Sequence, residues 1–248
     1  MTRKPYGMIC PITRACEILE PRWTIAILVA LWAGNTKFND IRREIGSVSP
    51  ALLTKRLREL EDLGLVERIH DRATGNIDYL RTGKAIALEP ALDALAHWAQ
   101  QNVDGITALC TTSASSLMWK MRKLIDPDAL PRRRVVIQFH FAEDLDYDTY
   151  WVLANPGAPI EICTSIPGYD IDLYVETTTM SLAAILLGRT TIRRETELDE
   201  LFLSGDPVLA RTMDKWLPRS SYADLEGVEE LTGDTSARQG ARTSAASA

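Results

Sequence analysis

The chain has 248 residues, 46% of them hydrophobic, with a net charge of −6. That is long enough to bury two cores, and no apolar run reaches the roughly 20 residues of a membrane-spanning helix, which argues against a helical membrane protein; no membrane partner is expected. The charge is uneven: residues 1–84 hold 14 Lys+Arg against 10 Asp+Glu, whereas residues 85–248 hold 14 against 24, so a polyanionic partner is expected to meet the N-terminal part alone.

The start, Met1-Thr2-Arg3-Lys4, lacks the layout of a signal peptide. Four cysteines (Cys10, Cys16, Cys110 and Cys163) have no metal-ligand spacing. Both features point to reduced thiols and a cytoplasmic location, with no cofactor. The pattern predicts a helix over Pro11–Leu19, with Ile12, Ala15, Cys16 and Leu19 on one side. Cys10 stands at its start, where a helix N-terminus favours a thiolate and Arg14 is one turn on; the alternative is a small capping or core residue. Thr24–Ala33 is apolar nearly all round and is expected to be the buried centre of the first domain.

Lys37–Ile45 is a short amphipathic helix with Phe38, Ile41 and Ile45 inward, followed by a turn at Gly46-Ser47. Ser49 is a good N-cap, Pro50 suits the first helical position, and Gly64 is placed to end the helix. Leu53, Leu57 and Leu60 share one face of that helix. The other face offers Ala51, Thr54, Lys55 and Arg58, residues able to approach base edges or phosphate; Arg56 lies beside the apolar stripe and is expected to have a structural or backbone-contact role. Two helices joined by a short glycine turn form a helix-turn-helix. Leu65–His70 and Ile77–Leu80 are strand-like around a Thr74-Gly75 turn, a hairpin with Arg72 near its tip and Arg68 and Arg81 flanking it. Ser49, Ala51, Thr54, Lys55, Arg58 and Arg72 are the candidate DNA contacts; a solvated basic face is the alternative for the helix alone.

Lys84–Asn102 is a long helix with Leu88, Leu92, Leu95 and Ala99 aligned, kinked or restarted at Pro90. It either closes its own core or pairs with a second subunit. Gly105–Ser116 is small and polar and marks a boundary. After it come a helix with Leu117, Met121 and Leu124 aligned, then strands over Arg134–Phe141, Asp148–Ala154, Pro159–Ser165 and Ile171–Thr177, with turns at Asn155-Pro156-Gly157 and Pro167-Gly168. An apolar helix, Met180–Leu187, is capped by Thr179 and ended by Gly188; another helix covers Pro207–Leu217. This order predicts an α+β domain with an antiparallel sheet covered by helices, and domains at 1–104 and 115–219 with a disordered tail at 220–248.

Phe139, Phe141, Trp151, Leu182, Ile185, Leu186, Met213 and Trp216 are either plain core or the lining of a pocket for a hydrophobic small molecule. Three dispersed histidines (His70, His97, His140) and the lack of a phosphate-binding glycine loop or nucleophile elbow argue against an enzyme. The acidic run from Glu143 to Asp148 lacks the glycine and terminal glutamate of a calcium loop and reads as a solvated connection.

Cys10-Pro11-Ile12, Arg22-Trp23-Thr24, the Phe38–Arg43 stretch, Ser49-Pro50, the Arg56–Glu61 stretch and the Gly64–Arg68 stretch, in this order and at these separations, resemble the HxlR-type winged-helix regulators from Cys10 to about Asn102. The resemblance implies a mainly-α winged helix-turn-helix in a homodimeric bacterial transcription factor, usually a repressor, with double-stranded DNA as partner. It implies Ser49–Glu61 as recognition helix and His70–Tyr79 as wing, and, as in some members, a cysteine at the Cys10 position that senses oxidants. Departures are Glu20-Pro21 in place of Gly-Gly, an apolar Leu52 on the approach side, and a short wing. More weakly, about Ser115–Arg219 resembles sterol-carrier-protein-type domains, through Asp170–Thr178, the apolar helix to Gly188, and Leu203-Ser204-Gly205-Asp206. That resemblance implies a hydrophobic tunnel and an apolar effector. The alternative is a lipid-binding or carrier protein that uses its winged helix for protein interaction.

Overall fold

The computed structural model describes residues 5–46, 48–72, 75–143, 147–231 and 238. Ser47 of the predicted turn, Ala73 and Thr74 of the wing, residues 144–146 of the acidic run, and 232–237 and 239–248 of the predicted tail lie outside the described residues. The chain forms two compact units, Met1–Ala94 and Leu95–Ala248. Among the described residues no helix is long and apolar enough to cross a membrane.

The first unit holds α1 (Pro11–Leu19), α2 (Thr24–Trp32), α3 (Phe38–Ile45), α4 (Pro50–Asp62), β1 (Val66–His70), β2 (Ile77–Arg81), α5 (Gly83–Ile86) and the start of α6 (Glu89–Asn102). Both ends of α4 follow from local chemistry. The Ser49 hydroxyl accepts a hydrogen bond from the Leu52 amide at 3.3 Å. At the other end Gly64 takes φ +67, which lets the Leu65 amide reach the Leu60 carbonyl at 2.9 Å and closes the last turn without the Cβ clash of other residues. Leu53, Leu57 and Leu60 are buried against Ile27, Leu28 and Leu31 of α2 and Ile41 of α3. At about 1.5–3 kcal/mol for each buried leucine, this stripe fixes which face of α4 is left for solvent.

Three expectations for this unit change. α1 has no buried residue: Ile12 is 72% exposed, and only Ile18 and Leu19 pack on the core. α2 is not buried all round, because Ile25 and Val29, one turn apart, are exposed. Leu52 faces the core rather than an approaching partner. At Pro90 the helix restarts rather than kinks. α5 is capped by Thr82, whose hydroxyl accepts from the Ala85 amide at 3.3 Å, and α6 begins one residue before the proline, where a missing N–H costs nothing.

The second unit contains α7 (Gly105–Leu109), α8 (Ala114–Leu124), a 3-10 turn (Pro127–Ala129), β3 (Val135–Phe141), β4 (Thr149–Ala154), β5 (Glu161–Cys163), β6 (Leu173–Thr177), α9 (Thr179–Leu186), α10 (Ile192–Glu197), β7 (Leu201–Gly205), α11 (Pro207–Arg211) and α12 (Met213–Trp216). The sheet has the order β5-β4-β3-β6-β7. Val135, Ile137, Phe139 and Phe141 point to the helix-covered side, as their alternation predicts, and join Leu173, Val175 and the fully buried α9 in one core.

The sheet is mixed, not antiparallel: β3 and β6 run parallel, with Ile137 opposite Leu173 and Phe141 opposite Thr177. Two hairpins carry the chain outward from β3 to β5, and residues 164–172 then return it to the free edge of β3. Alternation of side chains records which face a residue occupies, not the direction of its strand, so the parallel pair left no trace in the pattern. Ile171 is exposed and precedes β6. α10 and β7 add elements beyond those predicted, and the Pro207–Leu217 helix is broken at Thr212 into α11 and α12.

The expected boundary at 105–116 is structured: it forms α7 and opens α8, and its Leu109 and Ala114 belong to the core. The segment after Ser220 is also tied down where it is described. Ala223 and Leu231 are buried, and the Leu231 amide donates to the Arg189 carbonyl at 2.6 Å. Gly188, at φ +72, ends α9 so close to this segment that a Cβ would lie 2.3 Å from the Ala223 carbonyl oxygen. Arg238 and Glu195 are both 0% exposed and form an ion pair at 2.8 Å. Low average hydrophobicity hid a few residues that bury well.

Candidate nucleic-acid interface

Opposite the leucine stripe, α4 presents Ala51, Lys55 and Arg58, all exposed. Lys55 reaches Glu59 only loosely, at 4.0 Å across one helical turn, a separation at which an exposed pair is easily exchanged for another partner. Thr54 donates its hydroxyl proton to the Pro50 carbonyl at 2.9 Å, so toward a base it is left as an acceptor. Ser49 uses a lone pair in capping the helix and keeps its proton for donation. Arg56 is turned away: its Nε donates to the Arg22 carbonyl at 3.0 Å and its guanidinium pairs with Glu59. It ties α4 to the α1–α2 connection, where Trp23 adopts φ +80 and lies under Arg22 at 4.9 Å.

The hairpin pairs Val66 with Arg81 through His70 with Ile77. Its end is drawn together by the Asp71 amide donating to the Asn76 carbonyl at 2.9 Å and the Gly75 amide to the Asp71 carbonyl at 2.8 Å. Arg72 is exposed there, and Arg68 is exposed on β1. Arg81 is taken up by an ion pair with Glu89.

An anchor that sequence reasoning missed fixes the hairpin. Asp78 accepts from the Thr36 hydroxyl at 2.7 Å and from Lys37 Nζ at 2.6 Å, and the Tyr79 amide donates to the Thr36 carbonyl at 2.8 Å. The Lys37 ammonium first, and then the Thr36 hydroxyl, hold the Asp78 carboxyl below the usual range. Lys37 therefore neutralises a neighbour instead of offering free charge. No local pattern advertises this cluster, because its partners are 41 and 42 positions apart.

Cys10 is the N-cap residue of α1, half-buried, and its side chain does not cap the helix. Its carbonyl accepts from the Thr13 hydroxyl at 2.7 Å. Arg14 is engaged by Glu17 at 2.9 Å and, with the Tyr6 amide, pulls the Glu17 carboxyl down, so its charge is shared with that carboxylate rather than reserved for the thiol.

In the second unit most of the candidate pocket residues fill space. Phe139, Phe141, Leu182, Leu186 and Trp216 are packed in the core, and Trp216 Nε1 donates to the Leu209 carbonyl at 2.9 Å. Trp151 sits on the opposite face of the sheet with Val136 and Leu153, because it is on the other phase of the alternation from Tyr150 and Val152. Ile185 and Met213 do line an open cavity of about 790 Å³ beside α9, α11 and α12.

Residues 18–107 match the family of HxlR-like helix-turn-helix proteins. The uncharacterized HTH-type transcriptional regulator YtfH of Escherichia coli (strain K12) is 33% identical over 101 residues, which cover 40% of this chain and 80% of that protein. The uncharacterized HTH-type transcriptional regulator YvaP of Bacillus subtilis (strain 168) is 34% identical over 98 residues, covering 39% and 91%. Among solved structures, the reduced form of the transcriptional regulator YodB from B. subtilis is 31% identical, covering 39% of this chain and 97% of that one, with a TM-score of 0.36. The ordered helix pair, the exposed Lys55 and Arg58 and the anchored hairpin thus lie within the matched segment, and the chain belongs to the HxlR-like helix-turn-helix family.

Proposed function

We propose that this protein is a homodimeric, DNA-binding transcriptional repressor. α4 enters the major groove with Ser49, Ala51, Thr54, Lys55 and Arg58 facing the duplex, and Arg72 of the hairpin reaches the backbone beside it. The observation that carries the reading is the two-sidedness of α4: Leu53, Leu57 and Leu60 lock one face into the core while Lys55 and Arg58 project from the other. Exposed apolar side chains support self-association, Ile12 on α1 and Ile25 and Val29 on α2 in one unit, and Leu95 and Trp98 at 52% and 59% exposure on α6. A twofold dimer suits a palindromic site.

The second unit, read as a sterol-carrier-like module, serves as the sensor for an apolar small molecule. Its support is α9, buried along its whole length against the sheet, beside an open cavity. Cys10 is a second candidate input; unchanged release of DNA by oxidant in Cys10→Ser removes it.

The test is selection of a duplex from a random library by the full chain, followed by fluorescence anisotropy at several salt concentrations. Lys55→Ala with Arg58→Ala is expected to weaken the selected duplex by about 30-fold to about 20,000-fold, from roughly 1–3 kcal/mol for each of two base contacts. The salt slope falls by about one for each phosphate contact removed. Affinity unchanged by the double substitution moves the reading to a carrier protein whose winged helix meets another protein.

A further inference from the structure

The open cavity of the second unit has an apolar floor and a charged rim. Ile185, Met213 and Leu217 form the floor and are almost wholly buried. Arg193, Arg211 and Arg219 stand on the rim with Asp214 and Asp224. Arg219 is neutralised by Asp224 at 2.7 Å. Among the described residues Arg193 pairs with Glu197, at 3.7 Å and largely exposed, and Arg211 makes no direct hydrogen bond or ion pair, its charge acting at longer range on Asp206.

We propose that this cavity binds a compact amphipathic organic anion, with its apolar body on Ile185, Met213 and Leu217 and its anionic group at Arg211 and Arg193. This deepens the effector reading above and rests on it for its regulatory meaning. The choice of ligand class follows from charge and size. A neutral molecule would cover the floor and gain nothing from two guanidinium groups that are only loosely engaged, and an organic cation would be repelled by them. A carboxylate or sulfonate accepts two parallel N–H bonds from one guanidinium, the strongest polar contact available there. A volume of about 790 Å³ lies in the range of roughly 300–1,000 Å³ typical of sites for drug-sized molecules.

The experiment uses the full chain and two fluorescent probes with one ring system: 8-anilinonaphthalene-1-sulfonate, an anion, and N-phenyl-1-naphthylamine, which lacks the sulfonate. The sulfonate is expected to bind at one site at least about tenfold more tightly, the scale of one charge-assisted hydrogen bond. Arg211→Met, a change at an exposed position, removes that advantage and leaves the neutral probe unaffected; Ala210→Trp fills the cavity and weakens both. Equal binding of the two probes, no effect of Arg211→Met on the sulfonate, or full binding in Ala210→Trp overturns the proposal. Anisotropy with the selected duplex separates the two readings. Sulfonate binding that leaves duplex affinity unchanged supports the site and removes the effector role, whereas duplex binding without sulfonate binding overturns the site and keeps the DNA reading.

Discussion

Arg238→Met tests whether Arg238 belongs to the core of the second unit. In the native unit the Arg238 guanidinium donates to both oxygens of Glu195, at 2.8 and 3.2 Å, and the Thr190 hydroxyl donates to one of them at 2.7 Å. Both charges are fully buried. At about 3 Å and an effective dielectric near 20, their attraction is on the order of 5–6 kcal/mol, against a desolvation penalty of several kcal/mol for each ion. The pair as a whole therefore contributes little, and losing one half contributes a great deal: Glu195 would keep its burial with a single hydroxyl for company. The expected cost is about 3–5 kcal/mol. For a unit of this size that is roughly 6–20 °C in unfolding midpoint. Denaturant titration followed by tryptophan fluorescence measures it, with hydrogen exchange at α9 and α10 assigning the loss to the second unit. Glu195→Met combined with Arg238→Met removes both charges and is expected to recover most of the loss. An Arg238→Met protein within about 0.5 kcal/mol of the parent, the range of an ordinary surface change, would refute the claim that Arg238 is part of the core.

Asp78 gives a pH signature. Its carboxyl is lowered in the folded state by Lys37 and Thr36, so its contribution is present above the unfolded value near 3.8 and is lost as pH falls through the lower folded value. The stability gap between the parent and Asp78→Asn, measured by urea titration from pH 7 to pH 2, is expected to be flat above about pH 5 and to close as pH falls below the unfolded value; a gap independent of pH contradicts the anchor. Gly188→Ala meets both a left-handed backbone and the Ala223 carbonyl. It is expected to destabilise the second unit by more than the ~1 kcal/mol associated with a left-handed backbone alone, as a shift in urea midpoint shows, whereas Gly157→Ala, with open space around it, bears only the backbone term.

Most of the first unit could be read from residues near one another in the chain. The Ser49 cap, the Gly64 stop and the leucine stripe of α4 each involve partners within a few positions, and the free energy of each is local. What went unread joins distant positions, Asp78 with Lys37 and β3 beside β6, and the exposure of Ile12, Ile25 and Val29 runs against their apolar character.

The same distinction explains Arg189. In the sequence it is one cation after a helix-stopping glycine. In the second unit it is 1% exposed and its guanidinium donates to the carbonyls of Gln100 and Val103, each at 2.9 Å, and of Glu229 at 3.2 Å. Burial draws its pKa down, opposed by the charges of Glu229 and Asp104. Those carbonyls are ones that a helix end and an irregular segment would otherwise leave unpaired in the interior. A buried arginine costs desolvation, but here it satisfies three acceptors at once and joins the end of α6 to the chain after Ser220. Thr190 and Thr191, which follow it directly, form part of the cavity wall.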